Sequence, residues 1–381
     1  SLISGNFYSN SSPGASALRL IGHSNTVSGT FAFNSGSSTV QYAGDSNAFS
    51  VTMTTNAGTG AGGAMFGSGT SNVFSGLWIS NACGTVGGAM SFINSFYVTI
   101  NGTFLNNYAP TYGGAVEFSS PGLYNTVNAT MNGNRTLANG GALHVGGVNN
   151  STFNINASGN STAGSGGVVY LNGCNSNLFT GTFLNNSATG AGGAVFGRQS
   201  HSNAIVANIY SNASGSQGGG VFLSNSFSNS VTSLIYSNYV SGQGGGFYDL
   251  GGIGNALSSQ VAFNTAGLGG SAVYLCNSSN FSLTSANLSN NASGGFDAVL
   301  VLSNGGPLTN LYISNCAFAG TNASQAFAIM EMGNNVASHT IYSNNFMTNW
   351  LGYLYSNVGG AVISNYEGSV INTPGSPRHN A

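Results

Sequence analysis

The sequence predicts an all-β fold, a single-stranded parallel β-helix of about fourteen coils of ~26 residues. Three observations predict it. Asparagines recur at Asn56, Asn81, Asn107, Asn134, Asn160, Asn186, Asn212, Asn238, Asn264 and Asn290, in steps of 25, 26, 27 and then 26 six times. Each is followed eight residues later by a small residue, from Ala64 and Ala89 to Ala272 and Ala298. Helix-type apolar spacing and helix caps are absent, whereas apolar and small or polar residues alternate at the strand period. A fixed period in this range marks a solenoid, in which each coil contacts only its neighbours and one domain can reach 381 residues.

One coil justifies its elements in order. The run from Asn203 to Asn212, S-N-A-I-V-A-N-I-Y-S-N with its Ser202, opens at a turn asparagine, alternates as a strand and closes at a second asparagine. Similar openings stand at Ser71, Ser176, Asn229 and Gly254. Each closing asparagine stacks on its counterpart in the next coil. Its amide then bonds the next side-chain carbonyl and the corner backbone, and Asn also tolerates a left-handed corner. A structural ladder is therefore the expected role of these ten residues. The glycine pair that follows, Gly192-Gly193 in this frame, is expected to supply positive φ at a tight corner. A short strand such as Ala194-Val195-Phe196 completes the coil.

The short strand shows which side faces in. The column Met65, Met90, Val116, Leu143, Val169, Val195, Val221, Phe247, Val273 and Val299 is apolar throughout and belongs to the core. The next column runs Phe66, Ser91, Glu117, His144, Tyr170, Phe196, Phe222, Tyr248 and Tyr274, and alternation turns it outward. Its five aromatics from Tyr170 to Tyr274 would form an exposed stacked strip. Such a strip either stabilises the sheet or serves as a partner or sugar-binding surface. The pattern loosens at both ends: Asn34 and Val40 need a short coil, residues 320–326 a small loop, and residues 359–362 hold a shifted copy. Residues 1–372 read as solenoid and 373–381 as a tail with two prolines.

Composition removes several functions. Four basic and six acidic residues leave no footprint for nucleic acid or an anionic membrane. No run of 18 apolar residues exists to span a bilayer as a helix. The acids are dispersed, and the closest pair is Glu117 with His144, expected on adjacent coils as a solvent-exposed pair rather than a catalytic one. Metal spacings, phosphate-cradling loops and calcium-binding Asp repeats are missing, so neither metal nor cofactor is expected. Cys83, Cys174, Cys276 and Cys316 lie in different coils, too far apart to bridge within the chain. They read as small buried hydrophobes, with disulfides between chains as the alternative. Sequons at Asn101, Asn128, Asn134, Asn160, Asn212 and Asn287 permit glycosylation. Ice binding would need long outward Thr ladders, and the threonines are scattered.

Gly62-Gly63-Ala64-Met65, Gly192-Gly193-Ala194-Val195 and Phe104-Leu105-Asn106-Asn107 carry a further signal. G-G-A plus an aliphatic residue, with F-x-x-N between copies, resembles the repeats of the bacterial polymorphic outer membrane proteins over residues 50–300. The resemblance implies a right-handed parallel β-helix on a cell surface, in adhesion. The sequence departs from that family in lacking a membrane barrel and signal peptide, and it begins at Ser1 like a trimmed product. The expected function is a non-enzymatic, extracellular or cell-surface structural subunit, with an adhesin or glycan-binding module as the alternative. Repeat pattern at both ends, from Leu2–Asn10 to Asn365–Asn372, and scarce charge predict head-to-tail stacking into a fibre.

Overall fold

The computed structural model describes residues 1–12 and 14–294, and beyond these the segments 298–303, 311–319, 327–332, 340–343, 346–348, 353–358, 366–367 and 370–372. Among these residues every element is a strand, every pairing is parallel, and the strands stack as a β-solenoid of about 12 turns. The loop at 320–326, the copy at 359–362 and the tail at 373–381 fall outside the described residues. Two compact units divide the chain, Ser1–Thr189 and Gly190–Ala381.

In the first unit most turns contribute a long strand, a two-residue strand after the ladder asparagine, and a strand after the glycine pair. Thr99–Leu105, Thr126–Asn132 and Thr152–Ser158 pair without offset, so Ile100, Val127 and Phe153 share one inward column. The short coil expected near the N-terminus is present: Asn34 bonds Asn56 at a separation of 22, and Val40 pairs with Met65. Because coils repeat at the strand spacing, identical inward positions bring rings face to face. Phe49–Phe74, Trp78–Phe104 and Phe153–Phe179 stack with centroids 4.9, 4.7 and 4.8 Å apart. This spacing matches the ~4.8 Å between strands, so the ladder itself sets the stack.

The corners beside the long strands take left-handed backbone at Ser, Asn and a few aromatics, for example Ser71 and Asn106 with φ of 57° and 53°. The two glycines of each pair differ in purpose. Gly113 has φ +60° and turns the corner. Gly114 has no such φ, but a Cβ there would overlap the Gly141 carbonyl oxygen and stand 2.7 Å from the Arg135 nitrogen. Positive φ thus explains the first glycine of the pair, and close backbone approach explains the second.

The second unit keeps the plan with one change. After the unbroken Ala204–Tyr210 its long strand is split, as in Ser230–Val231 and Leu234–Tyr236, where Ser233 stands at the break. The Ser233 nitrogen donates to Ser259 Oγ at 3.0 Å, and Ser233 Oγ donates to the Ile205 carbonyl at 3.1 Å. Hydroxyls here replace ladder bonds that a small apolar residue would leave to the backbone.

Candidate functional site

The asparagine ladder of the first unit runs Asn10, Asn34, Asn56, Asn81, Asn107, Asn134, Asn160 and Asn186. Each Oδ1 accepts two bonds from the preceding turn. Asn134 Oδ1 receives the Asn107 backbone nitrogen at 3.0 Å and Asn107 Nδ2 at 2.9 Å. Asn134 Nδ2 then donates to Asn160 Oδ1 at 2.9 Å and to the Phe104 carbonyl at 3.0 Å. All polar valences are spent inside the stack, as a buried amide requires. In the second unit the ladder runs Asn212, Asn238, Asn264 and Asn291. Asn291, not Asn290, takes the last place, because the step there is 27 residues. Asn290 occupies the left-handed corner position instead, with φ of 54°.

A second ladder, at the other corner of the long strand, was not anticipated. Asn25 Nδ2 donates to Asn47 Oδ1, and Asn47 Nδ2 to Asn72 Oδ1, at 2.9 and 3.1 Å. Asn203, Asn229 and Asn255 do the same in the second unit. The S-N openings at Ser71, Ser176 and Ser202 were its signal. Val98 and Ser151 interrupt the asparagine column and weaken the periodicity.

The expected exposed strip is a correction. Tyr170, Phe222, Tyr248 and Tyr274 point away from the main core, yet only 5–8% of their surface is accessible. Phe196 is half-buried. Phe196–Phe222, Phe222–Tyr248 and Tyr248–Tyr274 stack at 5.1, 5.1 and 5.0 Å. Ala191, from the segment leading into a glycine corner, joins Phe222, Tyr248 and Tyr274 in one buried cluster. Alternation fixes the face a residue points to, but not what lies over that face. The rings cover one another, and no open platform for a sugar remains on them.

Glu117 and His144 are 3% and 8% exposed, so they are not the solvent-exposed pair expected. His144 Nδ1 lies 3.7 Å from Glu117 Oε1. Ser91 Oγ donates to Glu117 Oε2 at 2.8 Å, and Ser119 Oγ donates to Oε1. Tyr112 and Tyr170 sandwich the imidazole at 4.6 and 5.5 Å. The carboxylate is held by hydroxyls and the ring by aromatics, with little surface open to a substrate. Burial pushes the neighbouring Cys83 thiol up to about 12, with the Glu117 charge adding to the rise and a backbone bond at Thr85 opposing it. A thiol held that high is not a nucleophile near neutrality. Cys174 and Cys316 are also buried, Cys276 is half-buried, and none of the four is in a disulfide.

Asp249 has the strongest electrostatic signature. It is fully buried in an inward column between Leu223 and Leu275. Burial raises its pKa from 3.8 to about 7, against the lowering effect of bonds from Ser278 and Asn255. Asn255 Nδ2 donates to Oδ1 at 3.1 Å, while Oδ2 has no partner. The adjacent Tyr248 and Cys276 are themselves shifted upward by burial, so neither charges in this window. The folded state therefore holds the proton more tightly than the unfolded state. Stability should be full below about pH 4 and fall as pH rises toward 7, by up to about 4 kcal/mol. Urea titrations across that range check this, and Asp249→Asn should flatten the curve.

Among the described residues, no cluster of three or more His, Cys, Asp or Glu could hold a metal, and no helix is long and apolar enough to cross a membrane. The sequons separate by burial: Asn134, Asn160 and Asn212 are locked in the ladder, whereas Asn101, Asn128 and Asn287 are exposed.

One surface is open and regular. The outward residues of the long strands in the first unit form parallel columns, rich in hydroxyls and amides with exposed Leu2, Val73, Leu77 and Leu178 among them. One runs Ser4, Ser28, Ser50, Ser75, Asn101, Asn128, Asn154 and Thr180. Asn128 Nδ2 donates to Asn101 Oδ1 at 2.9 Å, so neighbours along the column are bonded. No charged residue occurs in any of these strands.

No protein-family model and no curated protein matches this chain. Among solved structures, the A-module of the mannuronan C-5 epimerase AlgE6 of Azotobacter vinelandii is similar at 11% identity, with a TM-score of 0.39, over 96% of this chain and 92% of that one.

Proposed function

We propose that the chain is a non-enzymatic structural solenoid, displayed outside the cell, that assembles with further copies of itself into a fibre. The ladder chemistry carries this reading. Every turn offers the same donors on one side and the same acceptors on the other, so a turn of another copy fits where a turn of the same chain would. Such a contact is heterologous and propagates. Scarce charge removes repulsion between copies, and the resemblance to surface repeats supports the location. Negative-stain electron microscopy and sedimentation at rising concentration test the proposal. Filaments with a spacing of ~4.8 Å along their axis are expected. A monomer at all concentrations, with no polymer in native extracts, would overturn it.

The open hydroxyl and amide columns favour a second reading, a module that binds a neutral polysaccharide. The aromatic strip first considered for that role is buried, and the flat uncharged face takes its place. Loss of a glycan-array signal on Asn128→Leu and Asn154→Leu would select this reading.

A further inference from the structure

The short-strand sheet changes character toward its first turns. In the middle of the first unit its outward column is Glu117, His144 and Tyr170, all buried. Upstream the same column reads Arg19, Gln41 and Phe66, paired in register. The column two residues on reads Ile21, Ala43, Ser68 and Ile93, also in register. Between the two columns lies a groove of about 180 Å³.

The make-up of the groove follows from its residues. Ala43 adds little bulk on this face, and Gly67 lies in the inward column beside the Tyr42 ring. Ile93 is exposed one strand beyond half-buried Phe66, while exposed Ile21 stands three strands from Ile93, in the strand of Arg19. Arg19 is exposed at the end. It is one of only four basic residues, and among the described residues it makes no hydrogen bond or ion pair. Gln41 donates Nε2 to Ser37 Oγ at 3.2 Å, which fixes its amide with the carbonyl oxygen to spare. Tyr42 backs the groove from the core, where its ring packs against Phe49 and Phe74 at 5.4 Å. An unpaired guanidinium beside apolar walls calls for an anion attached to an apolar body. A guanidinium matches a carboxylate in a bidentate fork.

We infer that the groove between Arg19, Gln41, Phe66 and Ile93 binds a small carboxylate with an apolar body, the carboxylate on Arg19 and the body against Phe66 and Ile93. Gln41 and Ser68 supply the polar contacts beside the carboxylate. The site is independent of fibre assembly, because it uses a face that the ladders do not.

The test titrates the full chain with 3-phenylpropionate, its neutral counterpart 3-phenylpropanol, and acetate, followed by NMR shifts of the Gly67 and Ala43 amides. Saturable shifts with 3-phenylpropionate at millimolar concentration are expected. Binding should be about 10- to 100-fold weaker for the alcohol, the range of a charge-assisted bond. Acetate, with no body to bury, should bind weakly. Arg19→Gln should erase the preference for acid over alcohol while leaving the fold intact, since the side chain is exposed. Ala43→Leu should block both ligands. Equal binding of acid and alcohol, an unchanged preference in Arg19→Gln, or no saturable shift at all would each overturn the assignment.

Discussion

Replacing Asn134 with alanine is expected to destabilise the first unit by about 3–6 kcal/mol, seen as a large drop in its urea midpoint. The substitution leaves the Asn107 backbone N–H and Nδ2 without their acceptor and the Phe104 carbonyl without its side-chain donor, while Asn160 Oδ1 keeps only the bond from the backbone N–H of residue 134. Each orphaned buried group costs about 1–3 kcal/mol, and neighbouring groups relax enough to recover part of the sum. The loss should spread to adjacent turns, because a solenoid is stabilised by nearest-neighbour interfaces. Asn128→Ala, on the open face, breaks one exposed bond and should cost about 0.5 kcal/mol or less. Equal effects from the two substitutions would remove the ladder from the account of stability.

Gly114→Ala is expected to prevent the first unit from folding, or to cost more than about 4 kcal/mol. The added Cβ meets backbone of the next turn at two places, Gly141 and Arg135, and backbone cannot move aside as a flexible side chain can. Gly159 provides the contrast. It has φ +62°, but nothing lies within 4 Å of its Cβ position. Gly159→Asn should cost under about 1 kcal/mol, because asparagine tolerates the left-handed region. Circular dichroism melts of the two variants separate close approach from positive φ as the reason for each glycine.

The repeat was legible because ladder asparagines and corner glycines are dictated by the backbone and recur at a fixed step. The all-strand fold, the short coil at Asn34 and the inward valine column follow from that alone. The burial of Tyr248 and Glu117 was not legible. Sequence alternation tells which face a side chain takes, while its cover comes from neighbouring coils, as Phe222 and Tyr274 cover Tyr248. Asn290 was misplaced for a related reason. A one-residue lengthening of the coil shifts the ladder to Asn291, and two adjacent asparagines hide the shift. Asp249 was counted among dispersed acids, and only its pairing with Leu223 and Leu275 reveals it in the core. The Arg19 groove left no mark in the repeat, since it depends on two columns read across coils.

The account rests on side-chain amides stacked one turn apart, and NMR of the labelled chain measures that directly. Nuclear Overhauser contacts should join the Nδ2 protons of Asn107 to the Asn134 amide group and those of Asn134 to Asn160, with slow exchange of these protons against solvent. Rapidly exchanging side-chain amides, or contacts at separations other than 26 and 27 residues for these pairs, would contradict it.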